Sequence, residues 1–93
     1  SSPPDPAYNA YRNDLADAAL AGRVIASHYA APVECTILAP ATLRSGPSAT
    51  SEAIVQLAQG APFALLDDTL GWAWGYAGPE RRVGYVESDK IGR

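Results

Sequence analysis

Downstream of Gly22, apolar and polar side chains alternate in short runs, and each run stops at glycine, proline, serine or aspartate. The alternation predicts strands over residues 23–29, 35–38, 53–57, 63–66, 72–76 and 83–86. The intervening turn sequences are Ala31-Pro32, Ser45-Gly46-Pro47-Ser48, Gln59-Gly60, Asp67-Asp68 through Gly71, and Gly78-Pro79. Short strands at this spacing predict a small barrel or sandwich. Residues 13–21 alone suggest a helix of any length, and one further helical turn is expected near Ser88. Asn13 or Asp14 would cap that helix, Leu15 and Leu20 would form its apolar stripe, and Gly22 would end it. It is too short to stand alone and needs a partner surface. The proline-rich start excludes helix, so residues 1–12 read as an extended tether and residues 13–93 as one domain.

Composition narrows the classes. A chain of 93 residues with 47% hydrophobic content is one folded domain with a small core. Net charge is −3, and among the seven basic residues only Arg81 and Arg82 are adjacent. No basic stripe exists to displace counterions from nucleic acid or to meet an anionic membrane. No apolar run approaches the roughly 18 residues of a membrane-spanning helix. The N-terminus lacks the basic-then-apolar layout of an export signal. The expected compartment is the cytoplasm, or the periplasm or cell envelope if such a signal has been removed.

Candidate chemistry is sparse. His28 is the single histidine and reads as a structural or surface residue. Cys35, the single cysteine, lies in a β-branched strand context and reads as a small core hydrophobe. Asp67-Asp68 reads as turn chemistry, and no metal or cofactor is expected. The informative segment is Trp72-Ala73-Trp74-Gly75-Tyr76, whose period of two sets three aromatics on one face and small residues on the other. Either the aromatic face is core, or the small face packs inward and the aromatics form an outer shelf.

An ordered series of landmarks runs through Ala41-Thr42-Leu43-Arg44 with Gly46-Pro47, Ile54-Val55-Gln56-Leu57, Gly60, Phe63-Ala64-Leu65-Leu66, Gly71-Trp72, Val83-Gly84-Tyr85-Val86 and Ile91. By these landmarks the chain from Val33 to Ile91 resembles the bacterial SH3-like domains attached to cell-wall enzymes. Asn13 to Asp17 followed by Gly22-Arg23-Val24 is similar to the N-terminal part of NlpC-type cysteine peptidases, where such a domain precedes a papain-like catalytic domain. The resemblance implies an all-β fold: a small SH3-like barrel of five or six short antiparallel strands with one short N-terminal helix. It implies a non-catalytic module that binds or positions peptidoglycan stem peptides and docks on a C-terminal catalytic domain, which itself cleaves γ-D-glutamyl bonds to a diamino acid. Candidate ligand-binding residues are then Trp72, Trp74, Tyr76 and Tyr85 for apolar contact, with Arg44, Glu80 and Arg81 (or Arg82) for polar contact. The volume of a small barrel favours Ala73 and Val86 inward with Leu43, Ile54, Leu57, Leu65 and Ile91, and Trp72 outward. Proline-rich peptides are not expected ligands, because Glu87 and Lys90 stand where eukaryotic SH3 domains carry proline and tyrosine. The alternative is a general protein–protein module without peptidoglycan affinity.

Overall fold

Strands form where the alternation is sustained. In the computed structural model, which describes residues 3–93, β1 (Leu15–Asp17) and β2 (His28–Ala30) make a small parallel pair. A seven-stranded sheet follows from β3 (Val33–Ile37), β4 (Ala41–Arg44), β5 (Ala53–Leu57), β6 (Pro62–Thr69), β7 (Trp72–Ala77), β8 (Arg82–Glu87) and β9 (Ile91–Gly92). Its order is β5-β4-β8-β7-β6-β3-β9, and every pairing is antiparallel. Five of the six expected strands recur nearly in place. The expected strand over 23–29 survives only as His28–Ala30, whereas β1, β4 and β9 were not anticipated. Single 3-10 turns occur at Ala18–Leu20 and Ser88–Lys90, the second where one turn was expected.

The sheet is not closed as a barrel, contrary to expectation. Ile37 from β3 and Leu43 from β4 belong to one core cluster although their strands are not neighbours, so the sheet curls around its inner face. Closure fails because β9 is two residues long and pairs only with Thr36 and Ile37. The Ile37 backbone also bonds the turn after β5, from its N–H to Ala61 and from its carbonyl to Gly60. Inside the curl lie Ile37, Leu43, Phe63, Ala73 and Val86, all fully buried. Leu57 and Leu65 join them, and Ile54 and Ile91 pack at the margin. Cys35 belongs to the same core, and burial pushes its thiol up from the ordinary range.

The helix expected over 13–21 does not form. Arg12 N–H bonds Leu15 carbonyl at 2.8 Å, which closes a tight reversal, and Tyr11 bridges Ala16. The local propensity is overridden by a better partner on the sheet. Asp17 accepts from Ala19 N–H and from the Tyr76 hydroxyl, and so anchors extended chain rather than a helix. The stretch read as a tether, apart from Ser1 and Ser2 outside the described residues, runs along the outer face. Ala10 is fully buried there, and Ala7 carbonyl accepts from Val83 N–H at 2.8 Å.

Tyr76 fastens this arm. Ala10 N–H donates to its hydroxyl at 3.0 Å, and the hydroxyl donates to Asp17 Oδ2 at 2.7 Å. Burial pushes the phenol up to about 12, with Asp17 adding to the rise and the Ala10 N–H opposing it. The raised value has a definite sign. The contribution of Tyr76 is fully present below pH 10, the ordinary phenol value, and is lost as pH rises toward about 12. Tyr76→Phe should abolish that alkaline step. It should also cost about 2–3 kcal/mol, because buried Asp17 loses a hydroxyl donor. Urea midpoints followed from pH 8 to 12 on both proteins check this, and an unchanged alkaline slope in the variant would refute it.

Candidate functional site

β7 alternates as the sequence suggests, and its small face is the inner one. Ala73 and Ala77 are core and Gly75 faces Gly84 across β8, while Trp72, Trp74 and Tyr76 lie on the outer face. One cross-strand row on that face runs Arg44, Tyr85, Trp74, Asp67, from β4 through β8 and β7 to β6. The Trp74 and Tyr85 ring centroids are 6.4 Å apart, with planes inclined at 33°. A bulge between Leu65 and Asp67 brings Asp67 into this row. The β6–β7 turn lies at Leu70-Gly71, with φ of 54° and 85°, the positive pair of a type I′ hairpin. Asp67 and Asp68 are therefore strand residues rather than turn residues.

The outer face is only partly open. The arm covers Trp74 and Tyr76, which are 3% and 5% exposed, and leaves Trp72 and Tyr85 half-buried. Beside these two lies a hollow of about 740 Å³. Arg12, Asp14, Leu15 and His28 line it from the arm, and Asp67, Thr69, Trp72 and Tyr85 from the sheet. Pro47 and Leu70 complete the rim, and Leu70 is 95% exposed.

Arg12 organises the charge. Its Nε and Nη2 bond both oxygens of Asp14 at 2.9 Å, and Nη2 also reaches Asp67 Oδ2 at 3.0 Å. Nη1 donates to the Tyr85 hydroxyl at 3.3 Å, and the guanidinium carbon lies 4.3 Å from the Trp74 ring centroid. Burial works against the Arg12 charge, but hydrogen bonds to Tyr85, Asp14 and Asp67 outweigh it and hold the proton more tightly than usual. The same contact with Arg12 holds the exposed Asp14 carboxyl below its ordinary range.

The expected ligand residues are thus divided. Trp72 and Tyr85 meet in the hollow, while Trp74 and Tyr76 form the layer beneath the arm. Arg44 is beside Tyr85 in the row, with Nη1 bonded to Ser51 carbonyl at 3.0 Å. Arg81 stacks over Tyr76 at 4.4 Å. Glu80 and Arg82 line a separate hollow of about 250 Å³. The sequence reading missed Arg12, Asp14, His28 and Asp67 as site residues. Registering the hairpin on Leu70-Gly71 would have set Asp67 opposite Trp74, but no spacing signal joins Arg12 to a residue 55 positions away.

A curled antiparallel sheet with an aromatic hollow on its outer face defines a small all-β domain. The model of the bacterial dipeptidyl-peptidase SH3 domain family matches residues 43–91, just over half of the chain, and the chain belongs to that family. No curated protein and no solved structure matched the chain.

Proposed function

We propose that this chain is the non-catalytic SH3-like part of an NlpC-type peptidoglycan peptidase, and that it positions a stem peptide for a following catalytic domain. The observation that carries the reading is the hollow beside Trp72 and Tyr85, within a domain of a peptidase-associated family. Two half-buried aromatics give flat apolar contact at little cost in side-chain entropy. Asp14, Asp67 and Arg12 beside them suit a zwitterionic peptide better than a purely apolar one. Arg44, next to Tyr85, is the basic candidate for a peptide carboxylate. Cytoplasmic recycling of wall fragments is the setting proposed.

The chain itself acts as a holder. Cys35 is buried in the core with its thiol pushed up, the opposite of what a nucleophile needs. Calorimetric titration with a γ-D-glutamyl-diamino acid peptide should give saturable binding without turnover. Trp72→Ala should weaken that binding about ten-fold while costing about 1 kcal/mol of stability, a midpoint shift of roughly 5 °C. Hydrolysis that disappears in Cys35→Ala would overturn the assignment. A second reading, a docking module without peptide affinity, is favoured by Leu70, an apolar side chain held at positive φ and fully presented on the rim. Absence of peptide binding together with capture of a separately produced catalytic domain would select it.

A further inference from the structure

The family match begins at residue 43, yet the arm before β3 supplies Arg12, Asp14, Leu15 and His28 to the hollow. We propose that this arm is one wall of the binding site, and that Arg12 is the positioning residue that fixes Tyr85 and Asp67 within it. The proposal rests on the reading of the hollow as a peptide site. One guanidinium touches a carboxylate on its own segment and three different strands of the sheet: Asp67 on β6, Trp74 on β7 and Tyr85 on β8. Simple coverage of Trp74 would need only an apolar stem. The planar fork does more, because its separate N–H groups fix the Tyr85 hydroxyl and the Asp67 carboxylate at the same time.

Charge makes the arrangement consequential. Among the described residues Arg12 is the one cation bonded between two carboxylates, and Asp67 is 28% exposed at the side chain. Without the guanidinium, Asp14 relaxes into water, where it already mostly lies. Asp67 cannot leave the row, so its charge stands beside Trp74 with the Thr69 hydroxyl as its remaining donor, while the Tyr85 hydroxyl has lost the guanidinium. The Tyr85 ring is then no longer held in one orientation, and the hollow becomes more negative. An SH3-like core without this arm keeps Trp72 and Tyr85 but has no second wall.

Four variants of the full chain, Asp67→Asn alone among them, test the proposal, with binding of a γ-D-glutamyl-diamino acid peptide and ring NMR resonances as readouts. Arg12→Met keeps the apolar cover over Trp74, and Arg12→Lys keeps the charge. Both should weaken binding about ten-fold, since an ammonium cannot reproduce the fork, and both should shift the Tyr85 ring resonances. Adding Asp67→Asn to the methionine variant should weaken binding by less than the product of the two single effects. Wild-type affinity in both Arg12 variants would overturn the proposal and leave the peptide reading standing. If the wild-type chain binds no peptide, that reading falls. The proposal is then decided on the free protein, where unchanged Tyr85 and Trp72 resonances in Arg12→Met and Arg12→Lys would overturn it.

Discussion

Gly75→Ala should destabilise the domain by about 4 kcal/mol or more, a loss reserved for a few structural mechanisms. A Cβ at Gly75 would stand 2.0 Å from the Ala64 carbonyl oxygen, 3.0 Å from its carbon and 3.1 Å from Phe63 Cε1. Ala64 is backbone on the neighbouring strand, so relief requires β6 and β7 to part at the centre of the sheet. The opposing Gly84 is constrained from its other side, with Leu43 Cγ and Cδ1 at 2.7 Å and Arg44 carbonyl oxygen at 2.8 Å from its Cβ position. Its alanine variant should rank second, because the Leu43 side chain can rotate partly away. Gly60→Ala is the control. It has nothing within 4 Å and costs only the strain of its φ of 89°, about 1 kcal/mol. Urea unfolding at constant m-value ranks the three. A Gly75→Ala midpoint no lower than that of Gly60→Ala would mean that the two strands do not approach as closely as described.

That glycine pair explains why the inner face was legible in the sequence. Alternation over 72–76 assigns Ala73 and Gly75 to one face, and the volume of a small domain decides that this face is inside. Leu43, Leu57, Leu65 and Val86 then follow as core, as the structure has them. Three features were not legible, for different physical reasons. The expected helix failed because its propensity amounts to a few tenths of a kcal/mol per residue, less than the burial of Ala10 and Ala16 together with the hydrogen bonds that tie Ala10 and Asp17 to Tyr76. Closure of the sheet depends on the length of its last strand, and two residues at Ile91–Gly92 carry no alternation to read. The charge cluster in the hollow joins positions 12, 14, 67 and 85, which only the tertiary fold brings together. Aspartate beside a hairpin turn looks alike whether it caps an amide or faces a tryptophan.

The two tryptophans of β7 lie two residues apart on the same face and should nonetheless respond in opposite ways. Trp74→Ala should cost about 3–5 kcal/mol, the range for truncating a core aromatic. Its ring is 3% exposed and clusters with Ala10, Ala64 and Tyr76, with Leu15, Leu66, Val83 and Tyr85 packed around them. Arg12 also loses the face on which it stacks. The arm then keeps Tyr76 as its principal anchor, with single hydrogen bonds to Ala10 and Asp17. Trypsin should therefore cut after Arg12 in Trp74→Ala under conditions where wild type resists, since the bond becomes accessible when the arm lifts. Trp72→Ala should do neither, because Trp72 is half-buried at the hollow and lies outside the cluster formed by Ala10, Trp74 and Tyr76. Its main effect should be on binding, with only about 1 kcal/mol of stability lost. Equal loss of stability in the two variants, with equal trypsin sensitivity at Arg12, would mean that the outer aromatics form a single core layer and that the arm does not divide a buried half from an open one.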